Sequence, residues 1–267
     1  MAEYLDLKAL YKKTGRVDWL PEASFPSERF FCMVATNRSD YEAAMGVSRT
    51  FAGHGSDGLV RIENASVWGV DGKGKVSSPC ATAYAYRSHS GYFGIVNSEE
   101  SYQNLTRFLF GDLRVDIWVD VEETRVPQEV QREMNQGKEM DALYQFELWA
   151  SPRGKRWYLT RRMAEEDSVA CRLQKELANA AGKSLYLSSI FLANRARVNP
   201  DRPSLAYSLT LGVRVPDYEL DRKFWPDRHY EGGYLFRDSV VLEITPPQQE
   251  DGDWHVVYDW QSDKLGQ

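Results

Sequence analysis

The sequence predicts an α/β segment over residues 1–110 followed by an antiparallel β-sandwich over residues 111–267. Three observations carry that division. Short apolar runs without alternation, 30–35 (FFCMVA) and 82–87 (TAYAYR), lie in the first part. A strand covered on both faces, as in a parallel sheet, has this composition. Strict apolar–polar alternation fills the second part, and a period of two means one buried face and one wet face. Charge divides at the same place. Residues 1–110 hold 12 basic and 12 acidic side chains, whereas residues 111–267 hold 21 and 27, the whole of the net −6.

In the first part, residues 4–13 place Leu5, Leu7, Leu10 and Tyr11 at a partly helical period, and Gly15 is a stop signal. Residues 69–75 (GVDGKGK) contain G-x-x-G-x-G and a lysine. They lack the G-K-[ST] ending and following helix of a phosphate loop, so a hairpin turn is expected. Residues 97–110 read as an amphipathic helix with Asn97 or Ser98 as N-cap. Glu99 and Glu100 fall in the first turn, where the helix dipole favours negative charge. Tyr102, Leu105, Phe108 and Leu109 form its apolar stripe.

In the second part, Leu113, Val115, Ile117, Val119 and Val121 alternate with polar residues and Trp118, which is therefore expected on the wet face. A second alternating run spans 205–215. Further strands are expected at 143–150, 156–163, 168–173, 185–193, 239–245 and 254–260, with one helix at 127–138 behind Pro127. About eight such runs separated by turns suggest a sandwich. Phe224-Trp225-Pro226 and the stretch from Tyr230 to Phe236 read as an aromatic, Gly-containing loop packed over its edge.

Composition narrows the function. With 42% hydrophobic residues and no apolar run near the ~18 residues of a membrane helix, a globular chain without a transmembrane segment is expected. The acidic balance and absence of a basic block disfavour nucleic acid and anionic lipid surfaces. Cys32, Cys80 and Cys171 are odd in number and far apart, so they read as buried thiols rather than a disulfide framework. With no leader in the first residues, this points to the cytoplasm. No cofactor is expected and no metal: His54 beside Asp57 and His89 matches no ligand spacing. The acidic groups Glu122/Glu123, Glu165/Glu166/Asp167 and Glu250/Asp251/Asp253 lack the D-x-D-x-D-G pattern of a calcium loop. His229 and His255 are expected to be surface and strand residues.

The segment richest in chemistry is 53–65 (GHGSDGLVRIENA) followed by 87–94 (RSHSGYFG). Asp57 lies in a Gly-rich loop after one buried strand and before an expected helical stretch. His89 lies in the loop after the next strand. Loops beyond the carboxyl ends of parallel strands are where α/β proteins place reactive groups. An Asp that fixes the tautomer of an imidazole and stabilises the imidazolium is the supporting half of nucleophilic catalysis. The plainer alternative makes SDG a turn and His89 a polar residue at a helix start.

The order strand, S-D-G-L-V, helix, strand, R-S-H-S-G, helix resembles the C-terminal part of an α/β-hydrolase of the lipase and acyltransferase kind, over roughly residues 25–110. In that family the chain order is Ser, then Asp or Glu, then His. The resemblance implies that Asp57 is the triad acid, His89 the base, and a lipid or other carboxylic ester the substrate. The appended sandwich is similar to the lipid-binding domain that some lipases carry. The family's nucleophile elbow, G-x-S-x-G, is absent: no serine has glycines two positions either side. The resemblance therefore implies a part that is inactive alone, with the nucleophile and the preceding strands supplied by a missing N-terminal hydrolase portion. A non-catalytic binding or interaction module, working through the sandwich, is the alternative.

Overall fold

The computed structural model describes residues 7–39, 55–137, 140–179, 183–220, 228–249 and 252–262. His54, Phe224-Trp225-Pro226, Glu250 and Asp251 lie outside the described residues. The described chain opens with helix α1 (Leu7–Thr14). It stops where Gly15 takes φ +67° and its N–H donates to the Tyr11 carbonyl at 2.7 Å, a left-handed conformation that glycine adopts without steric cost.

Five short strands follow: β1 (Trp19–Pro21), β2 (Phe31–Ala35), β3 (Trp68–Val70), β4 (Val76–Pro79) and β5 (Ala81–Ala85). The apolar runs at 30–35 and 82–87 become β2 and β5. They pair in parallel, with Phe31 opposite Ala81 and Ala35 opposite Ala85. β1 runs parallel to β3, and β3 turns back into β4. The expected hairpin is thus present: Asp71 Oδ1 accepts from the N–H groups of Lys73 and Lys75, both at 2.9 Å, and Gly74 sits at φ +81°.

Helix α2 (Glu99–Phe110) is capped by Ser98, whose Oγ accepts from the Ser101 N–H at 3.2 Å. Then come β6 (Leu113–Asp120), α3 (Gln128–Met134), β7 (Met140–Pro152), β8 (Thr160–Arg162), β9 (Ala170–Leu173), α4 (Gln174–Leu177), β10 (Ser184–Leu192), β11 (Leu205–Leu220), β12 (Arg228–Thr245) and β13 (His255–Trp260). β6 and β10 form an antiparallel pair. A larger sheet runs β13-β12-β11-β7-β8, with β9 also paired to β7. The molecule is mostly β and contains several sheets. The packing is sandwich-like: Leu185 and Leu187 of β10, with Ile117 and Val119 of β6, meet Tyr144, Phe146 and Leu148 of β7 and Val215 of β11. Each fully buried Leu or Phe here contributes roughly 1.5–3 kcal/mol of apolar transfer.

The first part is fastened to these sheets through β5, which is buried along its whole length. Its outer edge meets side-chain hydroxyls rather than another strand. The Thr82 N–H donates to Tyr186 Oη at 3.0 Å and the Tyr84 N–H to Thr160 Oγ1 at 3.2 Å. The Thr82 carbonyl accepts from Ser188 Oγ at 2.8 Å. Buried backbone polar groups need partners, and β8 and β10 supply them.

Several expectations change. The strand expected at 156–163 is confined to Thr160–Arg162, and the one at 239–245 extends back to Arg228. Tyr230 to Phe236 is therefore strand, not loop. Cys171 is exposed, whereas Cys80 is buried and Cys32 half-buried. Burial pushes the Cys80 thiol up to about 12. His255 is exposed in β13, and His229 lies in β12 opposite Glu219. The stripe of α2 forms but faces outward: Tyr102, Leu105 and Leu109 are exposed, while Asn104 and Arg107 are buried. The reason is polar: Asn104 Nδ2 donates to the Leu159 carbonyl at 2.9 Å, anchoring that face to the sandwich. Only Phe108 of the stripe turns inward, stacking on Phe31 at 5.4 Å and meeting Phe191 edge-on at 5.2 Å.

Among the described residues, no helix is long and apolar enough to cross a membrane.

Candidate functional site

β2 and β5 point the same way, and both loops singled out in the sequence lie beyond their carboxyl ends. The loop bearing Asp57 is closed by backbone bonds: Ile62 N–H to Gly55 O at 2.9 Å and Asp57 N–H to Val60 O at 3.1 Å. Gly55 and Gly58 take φ +65° and +98°, a region that a side chain would strain. No helix follows; the expected helical stretch is a single 3-10 turn, Ile62–Asn64. Gly58 breaks regular φ before a helix can start.

The loop bearing His89 is equally constrained. Ser88 N–H donates to Phe93 O at 3.2 Å, and Ile95 N–H returns to Ser88 O at 2.9 Å. A Cβ at Gly94 would come within 2.6 Å of the Ser90 backbone, so the loop closes this tightly because residue 94 is glycine. Arg87 binds Glu100 of α2 through two bonds of 3.2 Å, fixing the strand end to the helix start.

The two loops meet. Asp57 Oδ2 lies 2.9 Å from His89 Nδ1, and the His89 N–H donates to the Asp57 carbonyl at 3.1 Å. Asp57 Oδ1 accepts from the N–H groups of Leu59 and Val60 at 3.0 and 2.7 Å. The carboxylate thus closes its own turn with one oxygen and holds the imidazole with the other. The turn expected of SDG is present, and the same side chain also contacts the His89 ring. The Asp57 side chain is 8% exposed and that of His89 36%: a buried carboxylate under a ring that solvent reaches. Chemically, a carboxylate oxygen at this distance from Nδ1 favours the neutral tautomer with its proton on that nitrogen.

Among the described residues, no group of three or more His, Cys, Asp or Glu side chains is placed to hold a metal ion. Glu166, from one of the acidic groups, is buried against Arg161; burial pushes its carboxyl up, opposed by the Arg161 charge.

A second feature was not singled out in the sequence. A cavity of about 830 Å³ lies between the first part and the sandwich, lined by Trp19, Trp68, Trp118, Tyr186, Arg162 and Arg172 among others. Trp118 is 45% exposed, as its alternation predicts. The other members come from separate elements, β1, β3, β8, β9 and β10, which no sequence spacing joins.

Comparison with protein-family models, with curated proteins and with solved structures finds no match for this chain.

Proposed function

We propose that Asp57 and His89 are the acid and base of a serine-hydrolase triad acting on carboxylic esters, lipid esters among them. The nucleophile would be carried by hydrolase chain outside these 267 residues, none of which provides G-x-S-x-G. The observation that carries the reading is the 2.9 Å contact between Asp57 Oδ2 and His89 Nδ1 at the ends of two parallel strands. With Nδ1–H donated to the carboxylate, the lone pair sits on Nε2. Nε2 then takes the proton of an attacking hydroxyl, and Asp57 stabilises the imidazolium. The same proton passes to the leaving alkoxide as the tetrahedral intermediate collapses.

The outward stripe of α2 supports an incomplete core. Tyr102, Leu105 and Leu109 are 63, 52 and 57% exposed, and a continuous apolar stripe is ordinarily covered. β2 supports it too, having one strand neighbour among the described residues.

The test is a serine-directed fluorophosphonate probe applied to a longer gene product that includes an upstream hydrolase segment. Labelling that is lost in His89→Ala supports the proposal. Labelling that survives His89→Ala, or none in any such product, overturns it. A second reading, a non-catalytic interaction module, is favoured by the sandwich edge: Val256, Val257 and Tyr258 of β13 are each more than half exposed. Absence of labelling together with capture of a partner through β13 would favour that reading.

A further inference from the structure

The geometry points to the cavity between the first part and the sandwich as a binding site for an organic oxyanion. Arg162 and Arg172 would hold a phosphate or carboxylate group, and the tryptophan wall would take a ring or planar body. Neither Asp57 nor His89 is among its lining residues, although Gly55, Arg61 and Ile62 of the Asp57 loop are.

Arg162 carries the electrostatic half. Its residue is 7% exposed, and it makes no ion pair with a described carboxylate. The guanidinium donates through Nε to the Ser168 carbonyl at 2.8 Å and through Nη1 to the Leu187 carbonyl at 3.0 Å. It also stands 4.1 Å from the centroid of the Tyr84 ring. Carbonyl dipoles and a ring face compensate a buried cation only in part, and buried charges are normally paired. Arg172 adds a second cation, whose Nη1 donates to the neighbouring Cys171 carbonyl at 3.0 Å. Arg16 and Arg61, also in the lining, are already paired with Asp18 and Glu63. Guanidinium groups suit oxyanions because their planar donors match the oxygens in pairs.

The aromatic half is built rather than incidental. Tyr186 is fixed through its hydroxyl, which accepts from the Thr82 N–H and lies 2.7 Å from Ser189 Oγ. Its ring then holds Trp68 edge-on at 6.1 Å and Trp118 at 5.3 Å. Rigid indoles beside a wet cavity offer large contact area at low entropic cost. About 830 Å³ is room for a drug-sized organic molecule.

The test is calorimetry and tryptophan fluorescence on the full chain with phenyl phosphate, inorganic phosphate and benzyl alcohol. Phenyl phosphate is expected to bind saturably at one site, with inorganic phosphate and benzyl alcohol each at least about tenfold weaker. Arg172→Gln and Trp118→Leu should each weaken phenyl phosphate by about tenfold or more, while Arg195→Gln, outside the lining, should not. Arg162→Gln removes two buried hydrogen bonds and risks unfolding, so the two less buried positions carry the test. Vesicles of phosphatidic acid in phosphatidylcholine that displace phenyl phosphate would assign the oxyanion to a lipid headgroup. Lack of displacement would assign it to a soluble molecule, and either result supports the site. No saturable binding of phenyl phosphate up to about 10 mM, or binding unchanged in both Arg172→Gln and Trp118→Leu, overturns it.

Discussion

Asp57 and His89 are joined twice, once through carboxylate and imidazole at 2.9 Å and once through the main chain at 3.1 Å. The backbone bond does not use the Asp57 side chain, whose other oxygen also closes the turn through the Leu59 and Val60 N–H groups. In its neutral form the His89 ring should carry its proton on Nδ1. Nitrogen NMR of the ring reports this directly. In Asp57→Ala the population should move toward the Nε2–H form. An unchanged tautomer would mean that the carboxylate does not orient the ring.

Thr160 is expected to weigh more in stability than its size suggests. Its Oγ1 accepts from the Tyr84 N–H and lies 2.7 Å from Ser188 Oγ, both bonds buried. Thr160→Val keeps the shape and removes the acceptor, leaving a buried N–H alone, which costs about 1–3 kcal/mol. Urea unfolding checks this. A loss below about 0.5 kcal/mol would show that the contact between β5 and the sandwich is not held by these hydroxyls.

The outer face of α2 should behave oppositely. Leu105→Glu with Leu109→Glu replaces two exposed apolar side chains, so the unfolding free energy should change by less than about 0.5 kcal/mol per site. Self-association in sedimentation should fall, because the pair interrupts an apolar stripe. A large loss of stability would place those side chains inside the molecule.

One pH effect follows from Asp18. Its bond to Arg16 holds the carboxyl below the ordinary value of 3.8. A depressed carboxyl contributes stability that is complete above the unfolded value and disappears as pH falls through the folded one. Asp18→Asn should therefore be less stable than the parent at neutral pH, with the gap closing at pH below 3.8. A gap that stays constant into acid would remove the ion pair from the account.

Much of the fold was legible where local chemistry and tertiary environment agree. FFCMVA and TAYAYR pair as parallel strands because neither has a face to leave wet, and Ser98 caps α2 as its side chain allows. The Asp57–His89 contact was legible for a related reason, since each residue follows one of those strands. Gly232-Gly233 misled, because a glycine pair ordinarily marks a turn. In β12 a Cβ at Gly232 would come within 1.9 Å of the Val215 carbonyl, so the glycine serves close strand approach instead. The outward stripe of α2 was illegible because Asn104 and Arg107, polar in any hydropathy pattern, find hydrogen-bonding partners inward. Arg162 was illegible for the same reason: a lone arginine in a three-residue strand carries no spacing that announces a cavity.

The hydroxyls that meet β5 give the parallel pair a direction. Oxygen atoms of Tyr186, Thr160 and Ser188 occupy the positions where another ladder would begin, so that flank is terminated. Any strand that enlarges this layer must join on the flank of Phe31–Ala35, and the layer grows one way only.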